Sequence, residues 1–256
     1  MFDVIRIPAF KDNYIWLLRN GAAAVVVDPG DATPVIDVLV REGLSLAAIL
    51  ITHHHADHQG GIPNLLAHFT DLACPVFGPA SESITGLTQP LRGGENIRID
   101  ALDVEFRVLP VPGHTLGHLA YYGAGCLFCG DTLFGAGCGR LFEGTPAQML
   151  DSLDRLMALP DETRVYCAHE YTEANLHFAL AVEAGNLLLQ ARVGAVAVSR
   201  AKGLATVPST IALEKSSNPF LRCSAPEVVV SAQRREPGAS SRLQVFTALR
   251  EWKNGY

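Results

Sequence analysis

Hydrophobic positions before residue 171 fall into short runs, several of which alternate with polar positions, and glycine or proline separates many of the runs. These patterns are typical of β-strands, and helical spacing occurs in only a few segments. The predicted strands are 2–7, 14–19, 23–28, 46–52, 75–77, 96–110, 118–122, 125–129 and 163–167, and the predicted helices are 32–42, 62–69 and 145–159. Strands joined by both hairpin and crossover connections predict two packed sheets with helices outside them.

The pattern becomes mainly helical near residue 171, with helices predicted over 172–184, 187–201 and 240–252. The charge changes in the same region, because residues 1–170 hold 10 Lys/Arg and 20 Asp/Glu whereas residues 171–256 hold 10 and 6. We therefore predict two domains with different roles, 1–170 and 171–256. The basic part lacks interleaved aromatic residues, so no nucleic-acid partner is expected.

The composition is that of a globular protein, with 48% hydrophobic residues and a formal net charge of −6. No apolar run approaches the roughly 18 residues needed to cross a membrane, and the first residues lack a basic segment followed by an apolar one. The six cysteines show no regular spacing, and a chain of 256 residues is too long to depend on disulfides. We expect a cytoplasmic protein without a membrane partner.

The candidate chemistry begins in residues 52–58, which follow a predicted buried strand and contain His53, His54, His55, Asp57 and His58. Layered α/β folds place their functional residues on loops at the carboxyl ends of strands. Imidazole and carboxylate suit zinc, iron or manganese, and the pairs His53/His55 and Asp57/His58 exceed what one tetrahedral ion needs. The loop predicts a two-metal site, with His54 expected to point away from it. A histidine-rich surface loop is the alternative, which the aspartate and the following glycines disfavour.

Three later polar residues, His114, Asp131 and His169, also follow predicted strands. Seven ligands would serve two ions if Asp131 bridged them. The first ion would be held by His53, His55 and His114, and the second by Asp57, His58 and His169. Two cations about 3.5–4 Å apart lower the pKa of a bound water to about 7 and polarise a carbonyl group. The predicted chemistry is hydrolysis.

The pattern His-x-His-x-Asp-His, followed by His114, Asp131 and His169, resembles the metallo-β-lactamase superfamily. The resemblance implies an α+β fold, a four-layer αβ/βα sandwich, followed here by a smaller mainly helical C-terminal domain. Further blocks, in order along nearly the whole chain, are similar to the glyoxalase II (hydroxyacylglutathione hydrolase) family. These blocks are Asp12-Asn13-Tyr14, Thr52-His53-His54-His55-Ala56-Asp57-His58, Pro112-Gly113-His114-Thr115, Gly130-Asp131-Thr132-Leu133-Phe134, Gly137-Cys138-Gly139-Arg140, His169-Glu170-Tyr171-Thr172 and Asn218-Pro219-Phe220-Leu221-Arg222.

The resemblance implies a binuclear metal-dependent thioester hydrolase, and we expect a monomer. It would convert S-D-lactoylglutathione and water to glutathione and D-lactate, the second step of methylglyoxal detoxification. The implied cofactors are two divalent ions, zinc foremost and iron or manganese as alternatives, and the implied catalytic residues are Asp57 and Asp131. Glutathione contacts of the family match Arg140, Tyr171, Arg250 and Lys253. On a helix Arg250 and Lys253 share a face, which suits an anion, although a solvated C-terminal turn is the alternative.

This chain departs from the family pattern at two positions. Arg140 stands where many relatives have lysine, which keeps the charge and changes the geometry. Phe142 stands where some relatives have a glutathione-binding tyrosine, so we expect glutathione binding weaker by about 1 kcal/mol.

Three other functions are consistent with parts of the sequence. The first is a glutathione persulfide dioxygenase of the same fold, which uses one iron ion and generally lacks the second metal set and the helical tail. The second is a metal-dependent nuclease, which the acidic first part disfavours. The third is a binding module without activity, which the complete ligand set disfavours.

Overall fold

The computed structural model describes residues 2–69 and 74–256. The chain divides into two compact units. The first comprises the described residues up to Pro110 together with Gly117–Gly130, and the second comprises Val111–Leu116 and Asp131–Tyr256. These units do not have the bounds of the two predicted domains, 1–170 and 171–256, and that division stays a prediction. No helix in the described part of the chain has the length and apolar character needed to span a membrane.

The first unit contains a six-stranded sheet in the order β1-β2-β3-β4-β5-β6. Its strands are β1 (Asp3–Ala9), β2 (Asn13–Asn20), β3 (Ala23–Val27), β4 (Ser45–Leu50), β5 (Val76–Pro79) and β6 (Gln89–Leu91). The first three strands are antiparallel, and the pairs from β3 to β6 are parallel. In the β3–β4 pair Val27 lies opposite Leu50, so Asp28 and the segment after Leu50 leave the sheet side by side.

Helices cover one face of this sheet. They are α1 (Ala32–Glu42) and α3 (Ile62–His68), and the four-residue α2 (Ala56–Gln59) precedes α3 in the chain. The α1 helix occupies the predicted residues, because Asp31 caps its start by accepting from Thr33 N and Gly43 ends it in the left-handed conformation. Apolar side chains of α1 and α3 pack on those of the strands in a continuous core that includes Val26, Val35, Leu39, Ile49 and Ile62.

An antiparallel sheet, β7 (Asn96–Ile99), β8 (Val104–Pro110), β9 (Leu119–Gly123) and β10 (Cys126–Gly130), completes the first unit. The prediction of one strand over 96–110 was wrong in detail, since residues 100–102 form a short 3₁₀ turn and Asp103 has a left-handed φ of 51°. The apolar positions change from odd numbers (Ile97, Ile99) to even numbers (Leu102 to Val108) across this turn, so the alternation shifts phase where one strand had been expected. Phe2 packs on Phe106 with centroids 6.1 Å apart, and Tyr121 donates to the Ile51 carbonyl at 2.7 Å, joining the two sheets.

The second unit is mainly helical. Its strands are β11 (Leu133–Phe134), β12 (Gly137–Cys138), β13 (Arg164–Cys167) and β14 (Ser209–Thr210), and its helices are α4 (Pro146–Met157), α5 (Thr172–Val182), α6 (Leu187–Ala201), α7 (Ile211–Ser217), α8 (Pro226–Gln233) and α9 (Arg242–Asn254). The predicted capping box of α4 is present, with Thr145 and Gln148 bonded to each other's backbone. Helices α7 and α8 were missed because each is at most eight residues long, too short for periodicity to reveal.

Candidate metal centre and adjoining cavity

Four of the seven predicted ligands lie in one loop of the first unit. His53 and His58 are buried, and His53 Nε2 lies 3.0 Å from His55 Nδ1. The ligand atoms of His53 and His58, and those of Asp57 and His58, are within 4.8 Å of each other. The loop follows the carboxyl end of strand β4. Helix α2 begins at Ala56 and contains the last two predicted ligands, Asp57 and His58. The loop therefore concentrates three imidazoles and one carboxylate at the end of a buried strand, as predicted.

Asp28 supports this loop, and the sequence analysis missed it. Its carboxylate accepts from Thr52 N and Thr52 Oγ1, each at 2.8 Å, and lies 3.0 Å from His58 Nδ1. A proton on Nδ1 satisfies this contact and leaves Nε2 as the ligand atom of His58, an arrangement common in metal sites. Asp28 has a left-handed φ of 53°, unusual outside glycine, whereas the sequence analysis placed it as the last residue of the predicted strand 23–28.

Asn13 is a second residue that the sequence analysis left without a role. Its Nδ2 donates to Asp57 Oδ2 at 2.9 Å from the start of β2, 44 residues earlier in the chain. The backbone of Asp57 also packs directly against Gly30, where a Cβ would collide with the Asp57 carbonyl. His118, which is 1% exposed, stacks on His53 with centroids 4.6 Å apart. These contacts fix both ends of the ligand loop.

The other three predicted ligands, His114, Asp131 and His169, lie together in the second unit. Asp131 Oδ2 is 3.4 Å from His114 Nε2, and Asp131 Oδ1 is 3.4 Å from His169 Nε2. Each carboxylate oxygen thus faces a different imidazole, which is the geometry expected of a bridging ligand. His114 Nδ1 lies 2.9 Å from the Arg140 carbonyl, so this nitrogen donates and Nε2 is the ring nitrogen that faces Asp131.

The donor atoms within each unit fit divalent cations. Two ligands bound to one zinc at 2.0–2.1 Å in tetrahedral geometry lie about 3.3 Å apart. The observed separations of 3.0 Å for His53 and His55 and of 3.4 Å for each Asp131–histidine pair are close to that value. The Nδ1 atoms of His58 and His114 are occupied by Asp28 and a carbonyl, so their Nε2 atoms are oriented for metal.

A cavity of about 450 Å³ adjoins His114 and Asp131 within the second unit. Its volume lies in the range of about 300–1,000 Å³ that is usual for small-molecule sites. The lining residues are His114, Asp131, Phe134, Cys138, Arg140, Phe142, Tyr171, Ala174, Asn175, Arg250, Lys253, Asn254 and Tyr256. All four residues predicted to contact substrate therefore line one cavity together with two predicted metal ligands.

Arg250 and Lys253 are not part of a solvated helix end. Arg250 is 4% exposed, and its guanidinium donates to the Cys138 carbonyl at 2.9 Å and to Asn254 Oδ1 at 3.2 Å. It therefore holds the segment that precedes Arg140 as well as lining the cavity. Burial, followed by the charges of Arg250 and Arg140, holds the pKa of Lys253 below its usual value of 10.5. The positive charges of Arg140, Arg250 and Lys253 therefore repel one another at this part of the cavity wall.

Aromatic rings form the rest of the wall. Tyr171 stacks on His169 with centroids 4.7 Å apart and planes 5° from parallel. Phe142 is 63% exposed and lies edge-on to His114 at 5.2 Å. These rings border the ligand histidines on two sides and present apolar surface to whatever occupies the cavity.

Two family models match the chain. The model described as the metallo-beta-lactamase superfamily matches residues 10–169, and the model described as the hydroxyacylglutathione hydrolase C-terminus matches residues 170–256. A protein named hydroxyacylglutathione hydrolase from Dechloromonas aromatica is 56% identical over 270 residues, with 100% of both chains covered.

Solved structures share the fold. ETHE1 from Myxococcus xanthus has a TM-score of 0.68 at 24% identity and covers 98% of this chain and 91% of its own, a likeness that concerns the fold alone. TTHA1623 in a di-iron-bound form has a TM-score of 0.58 at 27% identity and covers 86% of this chain and 100% of its own.

Proposed function

The chain belongs to the hydroxyacylglutathione hydrolase family of the metallo-β-lactamase superfamily, and we propose that it hydrolyses S-D-lactoylglutathione and related S-2-hydroxyacylglutathiones. Water cleaves the thioester to give glutathione and D-lactate, the second step of methylglyoxal detoxification. The predicted fold class, an α+β metallo-β-lactamase fold followed by a helical C-terminal domain, is confirmed. The predicted reaction class, a hydrolase, is confirmed as well.

The cavity of the second unit is the observation that carries the proposal. The same cavity is lined by Asp131 and by three cationic side chains, those of Arg140, Arg250 and Lys253. Glutathione carries two carboxylates, and the thioester that must reach the metal lies at the end of its cysteine side chain. A cationic lining beside metal ligands therefore suits a glutathione thioester better than a neutral one.

The fold and its histidine and aspartate donors support bound metal ions. We infer two divalent ions per chain, zinc foremost, with iron or manganese as alternatives. The seven residues that would hold them are His53, His55, Asp57, His58, His114, Asp131 and His169. The two-sided contacts of Asp131 support a bridging role, and the di-iron-bound form of TTHA1623 supports a pair of ions in this fold.

The mechanism assigns each group a task. When bound, two divalent cations supply a water activated near neutral pH and polarise the thioester carbonyl. Asp131, which lies beside both His114 and His169, would be a ligand shared by the two ions. Asp57, whose carboxylate is fixed by Asn13, would orient the attacking water. Arg140, Arg250, Lys253 and Tyr171 would bind the glutathione part, and the stable thiolate leaves without a dedicated acid.

The predicted alternative, a glutathione persulfide dioxygenase, is not favoured. The likeness to ETHE1 stands at 24% identity and concerns the fold alone. The relative from Dechloromonas aromatica matches over the full length at 56% identity and carries the hydrolase name. The helical C-terminal family model, which covers residues 170–256, also favours the hydrolase.

Further parts of the proposal concern organisation. We propose that residues 1–170 form the catalytic domain and that residues 171–256 form the glutathione-binding domain, a division supported by the family-model boundary. We also propose a monomer without a nucleic-acid partner that works in the cytoplasm. The six free cysteines support a reducing compartment.

Thioester hydrolysis tests the function directly. Purified protein of known metal content is mixed with S-D-lactoylglutathione, and the loss of thioester absorbance is compared with that of an acyl thioester lacking the glutathione peptide. We expect rapid hydrolysis of the first substrate alone. Hydrolysis of neither by protein that contains two metal ions would overturn the substrate and leave the fold intact.

A pair of matched variants tests the metal assignment. Asp131→Ala should remove bound metal and activity together, because the carboxylate faces two ligand histidines. The control is Asp151→Ala, which removes an exposed carboxylate on α4 and should retain both. Full activity in Asp131→Ala would contradict the two-metal site.

A further inference from the structure

His54 lies between the predicted ligands His53 and His55, and it makes hydrogen bonds with Glu82. Its backbone N donates to Glu82 Oε2 at 2.7 Å, and its Nδ1 lies 3.0 Å from the same oxygen. The carboxylate can only accept, so Nδ1 donates in this contact. His54 therefore contacts one oxygen through both its main chain and its side chain, while its ring lies edge-on to that of His55 with centroids 5.0 Å apart.

Glu82 is placed to hold two loops at once. Its side chain is 5% exposed, and its second oxygen, Oε1, accepts from Gly117 N at 2.9 Å. Gly117 follows the ligand His114 by three residues and directly precedes His118, which stacks on His53. One buried carboxylate thus fixes backbone positions in both segments that carry histidines in this part of the chain.

Gly117 shows how closely the two segments approach. A Cβ built on Gly117 would lie 2.5 Å from Ser81 Oγ and 2.6 Å from Glu82 Cγ. A side chain at this position would push Glu82 away from the Gly117 amide. The hydrogen bond between Glu82 and the Gly117 amide therefore requires glycine at position 117.

Gln59 extends the same support to the other side of His54. Its Nε2 donates to the carbonyls of His54 at 2.5 Å and Ser83 at 3.0 Å, and its Oε1 accepts from Thr85 N at 2.8 Å. Both backbone polar groups of His54 are consequently bonded to side chains, the N–H to Glu82 and the carbonyl to Gln59. Residues 81–85 form a cradle that determines the path of the chain between His53 and His55.

We propose that Glu82 is a positioning residue of the metal centre, acting through the His54 and Gly117 amides. The inference rests on the proposed function, because it presumes that His53 and His55 bind metal. A charged carboxylate that accepts backbone N–H groups in a buried place forms strong hydrogen bonds and fixes the backbone. Groups bonded directly to metal ligands typically change metal affinity 10–100-fold when they are replaced, and we expect the same range for Glu82 because His54 lies between the two ligands His53 and His55.

Competition with a chelator tests the proposal without reference to activity. Glu82→Ala should lower metal affinity about 10–100-fold. Glu82→Gln should lose less, because its amide keeps one oxygen that can accept from one of the two N–H groups. The matched control is Glu95→Ala, since Glu95 likewise accepts from a loop amide, Arg92 N at 2.7 Å. The control should retain wild-type affinity.

Amide hydrogen exchange in metal-free protein provides the second readout. The amides of His54 and Gly117 should exchange at least tenfold faster in Glu82→Ala, while core strands such as β3 keep wild-type rates. If Glu82→Ala does not fold, Gly117→Ala takes its place, because the new methyl displaces Glu82 and leaves the carboxylate present.

The outcomes separate this proposal from the proposed function. Wild-type protein that binds no metal would overturn the proposed function. Metal bound normally by the wild type and equally well by the Glu82 variants, with unchanged exchange at His54 and Gly117, would overturn the role of Glu82 alone.

Discussion

The substitution Asp28→Asn would test how strongly one buried carboxylate contributes to the metal affinity of the site. Asp28 Oδ1 accepts from Thr52 N, and Oδ2 accepts from Thr52 Oγ1 and faces His58 Nδ1. Asp28→Asn keeps the size of the side chain and replaces one acceptor oxygen by an NH₂ group. Both positions for that group are unfavourable, because a donor already occupies each of them.

The two orientations of the amide have different consequences. With the NH₂ group towards Thr52 N, two donors face each other in a buried place, which costs about 1–3 kcal/mol. With the NH₂ group towards His58, the ring can accept at Nδ1 only if its proton moves to Nε2, the atom that would bind metal. Either way metal affinity should fall about 10–100-fold, or about 1.4–2.7 kcal/mol.

The assay is metal retention against a graded series of chelator concentrations, followed by thioester hydrolysis at saturating metal. We expect weaker retention with largely restored turnover when metal is in excess. The control is Asp31→Asn, the same substitution three positions along, where the side chain caps α1 through Thr33 N. Asparagine caps a helix as well as aspartate does, so the control should match the wild type. Wild-type retention in Asp28→Asn would refute the reasoning.

Three further changes test the cavity and the helical region. Phe142→Tyr restores a hydroxyl at the cavity and should lower KM about fivefold for about 1 kcal/mol, with kcat unchanged. Lys253 has a pKa below 10.5, chiefly through burial, so it loses its charge at lower pH than an ordinary lysine. As the pH is raised, KM should therefore begin to increase at a lower pH than it would with an ordinary lysine. Lys253→Met should remove that increase. Burial raises the pKa of Glu183, but hydrogen bonds from Arg222 at 2.7 Å and from Asn186 at 2.9 Å outweigh it and lower the pKa below 4.5. This lowered pKa stabilises the fold above pH 4.5, and the stabilisation is lost as the pH falls through the pKa of the folded state. Glu183→Gln should therefore reduce the free energy of unfolding by about 1.5–3 kcal/mol at neutral pH and by little in acid.

Each of these expectations has a measurement that can contradict it. Steady-state kinetics showing an unchanged or raised KM in Phe142→Tyr would remove the hydroxyl argument. The Lys253→Met profile is compared with that of Lys202→Met, a change at the exposed end of α6, and identical pH profiles would exclude Lys253 from binding. Denaturant unfolding at two pH values tests Glu183, and an equal loss of stability at both would show that its charge is not the cause.

Local patterns in the sequence were enough to predict most of the elements and the kind of chemistry. Apart from the single strand expected over 96–110, the predicted strands and helices lie within a few residues of observed ones, because periodicity and caps are encoded locally. The histidine and aspartate set was recognisable because four histidines and an aspartate in seven residues need a binding partner. The short elements α2, α7, α8, β6, β11, β12 and β14 were missed because too few residues lie in each to show a period, and the turn inside 96–110 is marked only by a phase shift of the alternation.

Only the tertiary structure revealed what holds those residues in place. Asp28 reaches Thr52 across 24 residues, Glu82 reaches His54 across 28, and Asn13 reaches Asp57 across 44. These contacts depend on the parallel register of β3 against β4 and on the cradle at 81–85, and no local pattern specifies either. Arg250 shows the same limit, since its spacing from Lys253 indicated a shared face but not burial against the Cys138 carbonyl. Sequence spacing determines which residues share an element, whereas sheet register and packing determine which elements bring their side chains together.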